Sequence, residues 1–266
     1  MRLMRAGLSP TKISHIFISH LHGDHIFGLP GYLTSQQMLS RQKPLTIVGP
    51  EGLRKLLITI QEVSGYQLDY SLNIIEISSD DWEFATDSFQ VVAQQLDHRT
   101  TCYGFRFTEP AKPGRFNSEK AEELGIPHGP DRSRLQQGQS IQLPNGRIVR
   151  PEEVLGPPRP GRIITYCTDT RPCAAGIALA RNCDVLIHDS TFSDEHSDRA
   201  SETFHSTARQ AAEVAAAAQA RLLVLWHISA RINEDQEEDI LAEARQVFSA
   251  TILPSDFETL TVQRRG

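Results

Sequence analysis

The chain has only four cysteines in 266 residues (Cys102, Cys167, Cys173 and Cys183), and no two stand in CxxC spacing. A disulfide framework is thereby excluded, and free thiols in a reducing cytoplasm are expected. Long apolar runs are missing as well. Nothing approaches about eighteen consecutive apolar residues, so no membrane-spanning segment is expected. The opening, from Met1 to Gly7, lacks the apolar run and cleavage site of a secretory signal. Positive charge is also scarce. A net charge of −6 excludes a protein that coats nucleic acid by bulk charge. There is no internal repeat and no low-complexity tract. What is present, 39% hydrophobic and 23% charged residues, describes an ordinary globular α/β chain of one large domain, with or without an appendage.

The first half alternates strand-like and helix-like segments. Ile13 to Ser19 is a β-branched, apolar run that predicts a buried strand. A His-rich loop follows, then a helix near Leu33 to Leu39. A short strand at Thr46 to Val48 is expected to stop at Gly49-Pro50, and Leu53 to Val63 reads as helix. Further strands are expected at Asn73 to Ile77, Phe89 to Gln95 and Cys102 to Phe107. After Gly161 the alternation resumes, with strands at Ile163 to Tyr166, Val185 to Ile187 and Leu222 to Leu225. The helices in this half are Ala174 to Ala180, an alanine-rich Ala208 to Ala220 capped by Ser206, and one opened by Asn233 with Gln236 in capping-box spacing.

Residues 110–162 differ from both flanks. Pro-Gly, Gly-Pro, Pro-Asn-Gly and Gly-Pro-Pro turns surround two short polar helices, one capped by Asn117 or Ser118 and ended by Gly125. The segment reads as an insertion with little apolar material of its own. It holds nine Lys/Arg against six acids, a balance of +3, so the rest of the chain carries −9.

The strongest chemical signal is His20-Leu21-His22-Gly23-Asp24-His25. Three imidazoles and a carboxylate fall within six residues just after a buried strand. Imidazole and carboxylate suit Zn²⁺, and a loop leaving a rigid strand can aim alternate side chains at two neighbouring ions.

This HxHxDH pattern resembles the signature of the metallo-β-lactamase superfamily. Within it, the chain is similar to the ribonuclease Z family, which cuts precursor tRNA at its 3′ side. The residues carrying the likeness are Arg5 to Pro10, Phe17 to His25 with Gly28 to Gly31, His98 ahead of Gly104 to Arg106, Thr168 to Arg171, Leu186 to Phe192, Phe204 to Thr207 and His227 to Arg231. The resemblance implies a four-layer αβ/βα sandwich over residues 1–266 with two zinc ions per chain. His20, His22 and His98 would hold one ion, Asp24, His25 and His227 the other, and Asp169 would bridge them. Asp24 would also accept a proton from the attacking water. His205, steadied by Asp189, would face the leaving 3′ oxygen. The 110–162 insertion would be a projecting tRNA-binding arm, with Lys112, Arg115, Lys120, Arg132 and Arg134 as its candidate phosphate contacts. Precursor tRNA is then the partner, and the resemblance implies a cytoplasmic homodimer.

Two departures from the family pattern stand out. Asp189 replaces the usual Glu and is one methylene shorter. The chain also begins where family members are already some way along, so the sandwich is expected to be N-terminally incomplete. Hydrolysis of a small phosphodiester or another ester on the same metals, and an inactive relic, remain as alternative readings.

Overall fold

The computed structural model describes residues 2–79 and 82–265. Its strands are β1 (His15–Phe17), β2 (Leu45–Pro50), β3 (Leu72–Ile77), β4 (Trp82–Ala85), β5 (Gln90–Gln95), β6 (Tyr103–Thr108), β7 (Ile141–Gln142), β8 (Ile148–Val149), β9 (Ile163–Cys167), β10 (Val185–Asp189), β11 (Leu223–Trp226) and β12 (Thr251–Ile252). Its helices are α1 (Arg2–Arg5), α2 (Gly23–Ile26), α3 (Gly28–Met38), α4 (Leu53–Ser64), α5 (Ser118–Glu123), α6 (Pro130–Gln136), α7 (Ala174–Ala180), α8 (Ser197–Thr203), α9 (Ala208–Ala217) and α10 (Glu234–Val247).

The chain divides into two compact units. The first comprises Met1–Thr86, Gln90–Phe107 and Ile163–Thr261, and the second Asp87–Phe89, Thr108–Arg162 and Val262–Gly266. In the first unit, β1, β2 and β3 form a parallel sheet in that order. A seven-stranded sheet runs β12-β11-β10-β9-β6-β5-β4, parallel from β9 to β12, with β4 antiparallel to β5.

Each sheet is covered by helices on one side. Leu29 and Leu33 of α3 and Leu53 and Leu57 of α4 pack on Leu45, Ile47 and Ile74. On the larger sheet, Ala208, Ala211, Ala212 and Ala215 of α9 form a stripe at helical spacing, so small that the helix lies close against Leu223 and Leu225. Ile240 and Ala244 of α10 join this core. The two sheets meet through aromatic rings. Phe17 of β1 lies 6.1 Å from Phe84, 5.5 Å from Phe105 and 5.2 Å from Phe107, centroid to centroid. Helix, sheet, sheet and helix therefore follow in the expected αβ/βα order.

Several local expectations are corrected. Strand β2 continues through Gly49 and Pro50. The Ile18 N–H to Val48 carbonyl bond is where β1 leaves it, so the missing Pro50 N–H removes no bond to β1. A Cβ on Gly49 would sit 2.8 Å from the Leu53 Cδ2 and 3.1 Å from the Ile18 Cβ, so the Leu53 side chain would have to shift to admit it. Helix α3 begins at Gly28, earlier than expected, with Pro30 tolerated in its first turn. Strand β4 gave no recognisable signal in the sequence. The cap of α9 is Thr207, whose side chain accepts from the Gln210 N–H while Gln210 accepts from the Thr207 N–H. Ser206 instead donates to the Thr170 carbonyl at 2.6 Å.

The second unit also differs from expectation. It contains apolar material enough for a core of its own: Ala121, Ile126, Leu135, Ile141, Leu143, Val149 and Val154, with Phe116 and Leu124 against them. The sequence hides this core because its members are spread singly through turns and two-residue strands. Of the two expected caps, Asn117 is the one that caps α5, and Gly125, at φ +72°, follows the helix in the left-handed conformation.

Candidate metal centre

Parallel neighbours β9, β10 and β11 end side by side, and their C-terminal ends deliver Asp169, Asp189 and His227 to one edge of the sheet. The His20 to His25 loop arrives there from β1 and His98 from β5. The first of these loops is pinned by the Tyr103 N–H, which donates to the Ser19 carbonyl at 2.9 Å. The second is stapled to the Asp169 loop. The Arg171 N–H donates to the Asp97 carbonyl at 3.0 Å, and the Arg171 guanidinium forks onto the Asp97 carboxylate at 3.0 and 2.9 Å.

Two clusters result. Ligand-type atoms of His20, His22, His98 and Asp169 lie within 4.8 Å of one another, as do those of Asp24, His25 and His227. Asp169 touches both. Its Oδ2 is 3.5 Å from His20 Nε2 and 3.3 Å from His25 Nε2, and its Oδ1 is 3.5 Å from His227 Nε2. The His20 and His25 Nε2 atoms are buried and have no hydrogen-bond partner. Burying an unpaired ring nitrogen is costly, and a cation between these groups would supply the missing partner. The donor set, imidazole and carboxylate without sulfur, fits zinc.

The outer nitrogens fix the rings. His98 Nδ1 lies 3.0 Å from the Phe204 carbonyl, an acceptor only, so this nitrogen carries the proton and Nε2 presents its lone pair to the cluster. Burial pulls the His20 pKa down to about 4, and burial also lowers that of His98, so both stay neutral as a ligand must. Burial opposes the charge on Asp169, yet His25, His227 and His20 hold its carboxyl well below the usual range. Asp24 differs from Asp169 in access: its side chain is 69% exposed, against 3%.

His205 completes the edge. Its Nδ1 is 2.7 Å from Asp189 Oδ2, so the shorter carboxylate still reaches it. Asp189 is fully buried, and it also accepts the Thr170 N–H at 2.9 Å and the Thr191 N–H at 3.0 Å. Burial disfavours protonated His205, but the bond and charge of Asp189 raise its pKa overall. The backbone is bent to make these placements. Asp169, Phe204 and His227 adopt φ of +54°, +63° and +63°, a conformation non-glycine residues rarely take.

Ribonuclease Z of Salinibacter ruber is 46% identical over 253 residues, covering 94% of this chain and 78% of that protein. The chain belongs to the ribonuclease Z family. The crystal structure of the short form of human tRNase Z matches with a TM-score of 0.67 and 26% identity, covering 98% of this chain and 83% of that one. A metallo-beta-lactamase fold protein from Bacillus subtilis matches with a TM-score of 0.62 at 17% identity, covering 95% and 79%, a likeness of fold. Residues 153–228 match the family model of the beta-lactamase superfamily domain, and residues 1–110 that of the anti-Pycsar protein Apyc1.

The structure brings His20, His22, Asp24, His25, His98, Asp169, Asp189, His205 and His227 together at one edge. His205 is also grouped with Asp169 and His227 within 4.8 Å, so geometry alone allows it as a ligand. The cations of the second unit divide. Lys112, Arg115, Lys120 and Arg134 are exposed, although Lys120 pairs with Glu123 at 2.8 Å and Arg134 with Asp131 at 3.7 Å. Arg132 is corrected. It is buried, its Nε and Nη2 donate to the Ile126 carbonyl, and its guanidinium lies over the Phe116 ring, so it holds the unit together from within. Sequence reasoning gave no role to Asp97, Thr170 or Thr191. The available signals were the position of Asp97 just before His98 and the presence of Thr170 and Thr191 within the Thr168 to Arg171 and Leu186 to Phe192 motifs.

Proposed function

We propose that this chain is a zinc-dependent endoribonuclease that removes the 3′ trailer from precursor tRNA, leaving a 3′-hydroxyl on the tRNA and a 5′-phosphate on the trailer. The observation that carries this reading is the convergence of the buried His20 and His25 Nε2 atoms on the shared Asp169 carboxylate, in a chain of this family. His20, His22, His98 and Asp169 would hold one zinc ion, and Asp24, His25, His227 and the same Asp169 a second. Such a pair, when bound, acidifies a water molecule and clamps the oxygens of a phosphodiester.

The chain's own groups supply the rest. Asp24, exposed and 3.3 Å from His25, accepts the proton of the attacking water at Oδ2. The water oxygen bonds to phosphorus as the bond from phosphorus to the 3′ oxygen breaks. His205, held at Nδ1 by Asp189, gives the proton on Nε2 to that leaving oxygen. Lys112, Arg115, Lys120 and Arg134 contact phosphates of the tRNA body, a role that the excess of positive charge in residues 110–162 supports. The working form in this reading is a cytoplasmic homodimer. Four free cysteines accord with that compartment, and no helix among the described residues is long and apolar enough to cross a membrane.

The test is to incubate the zinc-loaded protein with a 3′-extended precursor tRNA and map both product ends. Cleavage directly after the tRNA body with the stated termini is expected, and light scattering should report a dimer. Hydrolysis of a nitrophenyl phosphodiester with no cleavage of the tRNA would overturn the substrate assignment.

A further inference from the structure

The Thr191 hydroxyl lies between a candidate metal ligand, His227, and the His205 and Asp189 pair. Thr191 stands two residues past the end of β10 and is buried. Its Oγ1 donates to Asp189 Oδ1 at 2.7 Å, and the same oxygen is 2.9 Å from His227 Nδ1 and 3.2 Å from His205 Nδ1. A hydroxyl has one proton and two lone pairs. The Thr191 proton is committed to Asp189 Oδ1, so either imidazole can approach Oγ1 only as a donor. His205 already has a better acceptor, Asp189 Oδ2 at 2.7 Å. The lone pair of Thr191 is therefore left to His227, whose Nδ1 must carry its proton. The His227 Nε2 lone pair then faces Asp169 and Asp24, at 3.5 and 3.9 Å.

We propose that Thr191 is a positioning residue whose single hydroxyl fixes the His227 tautomer and ring while completing the hydrogen bonding of Asp189. It thereby ties the metal-holding groups to the group that serves the leaving oxygen. Two further features support this. The Ser229 N–H donates to the Thr191 carbonyl at 3.2 Å, so the same residue also pins the His227 loop by its backbone. His227 stands at φ +63°, a conformation that needs outside contacts to persist. The inference rests on the zinc-site reading given above.

The experiment uses the full chain loaded with zinc, in wild-type, Thr191→Val and Thr191→Ser forms. Valine keeps the shape and removes the hydroxyl, whereas serine keeps the hydroxyl. Competition with a chelator should show about 10- to 100-fold weaker zinc retention for the valine form, the size typical of lost outer partners of ligating histidines. The serine form should stay within roughly threefold of wild type, as expected when that partner is kept. Nitrogen-15 spectra of the wild-type imidazoles should show His227 protonated at Nδ1, a readout that survives even if the valine form fails to fold. A proton on Nε2 of His227, or zinc retention in the valine form equal to wild type, would overturn the proposal. Failure of the wild-type protein to cut precursor tRNA would count against the substrate reading alone, since these readouts are zinc retention and ring tautomer.

Discussion

Arg171 and Asp97 join the loops after β9 and β5 through two side-chain hydrogen bonds of 3.0 and 2.9 Å, and the same guanidinium sits 4.1 Å from the centroid of the Phe204 ring. One arginine thus braces three segments: the one carrying Asp169, the one carrying His98, and the one whose Phe204 carbonyl orients His98. Lysine cannot reproduce the planar fork. Arg171→Lys should therefore weaken metal retention by about 10- to 100-fold without removing any ligand. Chelator competition followed by elemental analysis reads this directly, and retention equal to wild type would show that the brace is dispensable.

That brace also marks the limit of what the sequence conveys. The His20 to His25 loop was legible because its four ligands fall within six residues and follow a clear apolar strand. Helices Leu53–Ser64 and Ala174–Ala180 were legible from apolar spacing and punctuation. Pairings between residues far apart in sequence were not. Asp97 and Arg171 are 74 positions apart, and nothing local tells either which partner it meets. Asp169 and His227 occupy left-handed backbone without the glycine that would announce it. Arg132 looked like any exposed cation in a polar helix, because its burial depends on Phe116 and Ile126.

Asp169 is the shared carboxylate, so its loss should be felt by both clusters. Asp169→Ala should leave the folded protein with no bound zinc, whereas His22→Ala should deplete one ion more than the other. Elemental analysis on refolded, dialysed protein distinguishes the cases. Retention of a full complement in Asp169→Ala would rule out bridging.

Glu109 gives a pH-dependent prediction within the second unit. It accepts from Arg162 Nε at 2.8 Å and from Arg264 Nη2 at 2.6 Å, and the hydrogen bond from Arg162 leads the effects that depress its pKa to about 2. A depressed carboxylate stabilises the fold above its unfolded pKa and loses that contribution as pH falls through the folded value. Wild type should thus be more stable than Glu109→Gln at neutral pH, with the gap narrowing from about pH 4.5 towards pH 2. Hydrogen exchange of residues 108–162 at stepped pH measures it. A gap that widens on acidification would contradict the ion pair.

The second unit has a core of its own, made of residues that belong to neither core of the first. Replacing residues 112–160 with a short linker should raise KM for precursor tRNA by on the order of tenfold or more, and salt dependence should weaken as phosphate contacts are lost. Hydrolysis of a small phosphodiester should persist, because its chemistry needs only groups in the first unit. Equal loss on both substrates would make the segment structural.

His205 offers the sharpest division between holding metal and moving a proton. A tRNA 3′ oxygen is a poor leaving group near neutral pH and needs a proton as its bond to phosphorus breaks. The Nδ1 atom of His205 is committed to Asp189 at 2.7 Å, which leaves Nε2 as the donor, and Asp189 is itself fixed by the Thr170 and Thr191 N–H groups. The competing role is that of a ligand, since His205 also groups with Asp169 and His227. His205→Ala should keep both zinc ions and tRNA affinity while lowering the cleavage rate by at least about a hundredfold, the usual range for general-acid help. A nitrophenyl phosphodiester, whose leaving group departs without a proton, should slow far less. Asp189→Asn should act in the same direction on tRNA, because a neutral amide holds the imidazole without favouring its charge. Loss of zinc from His205→Ala would assign the residue to the metals, and equal slowing of both substrates with zinc retained would assign it to the scaffold.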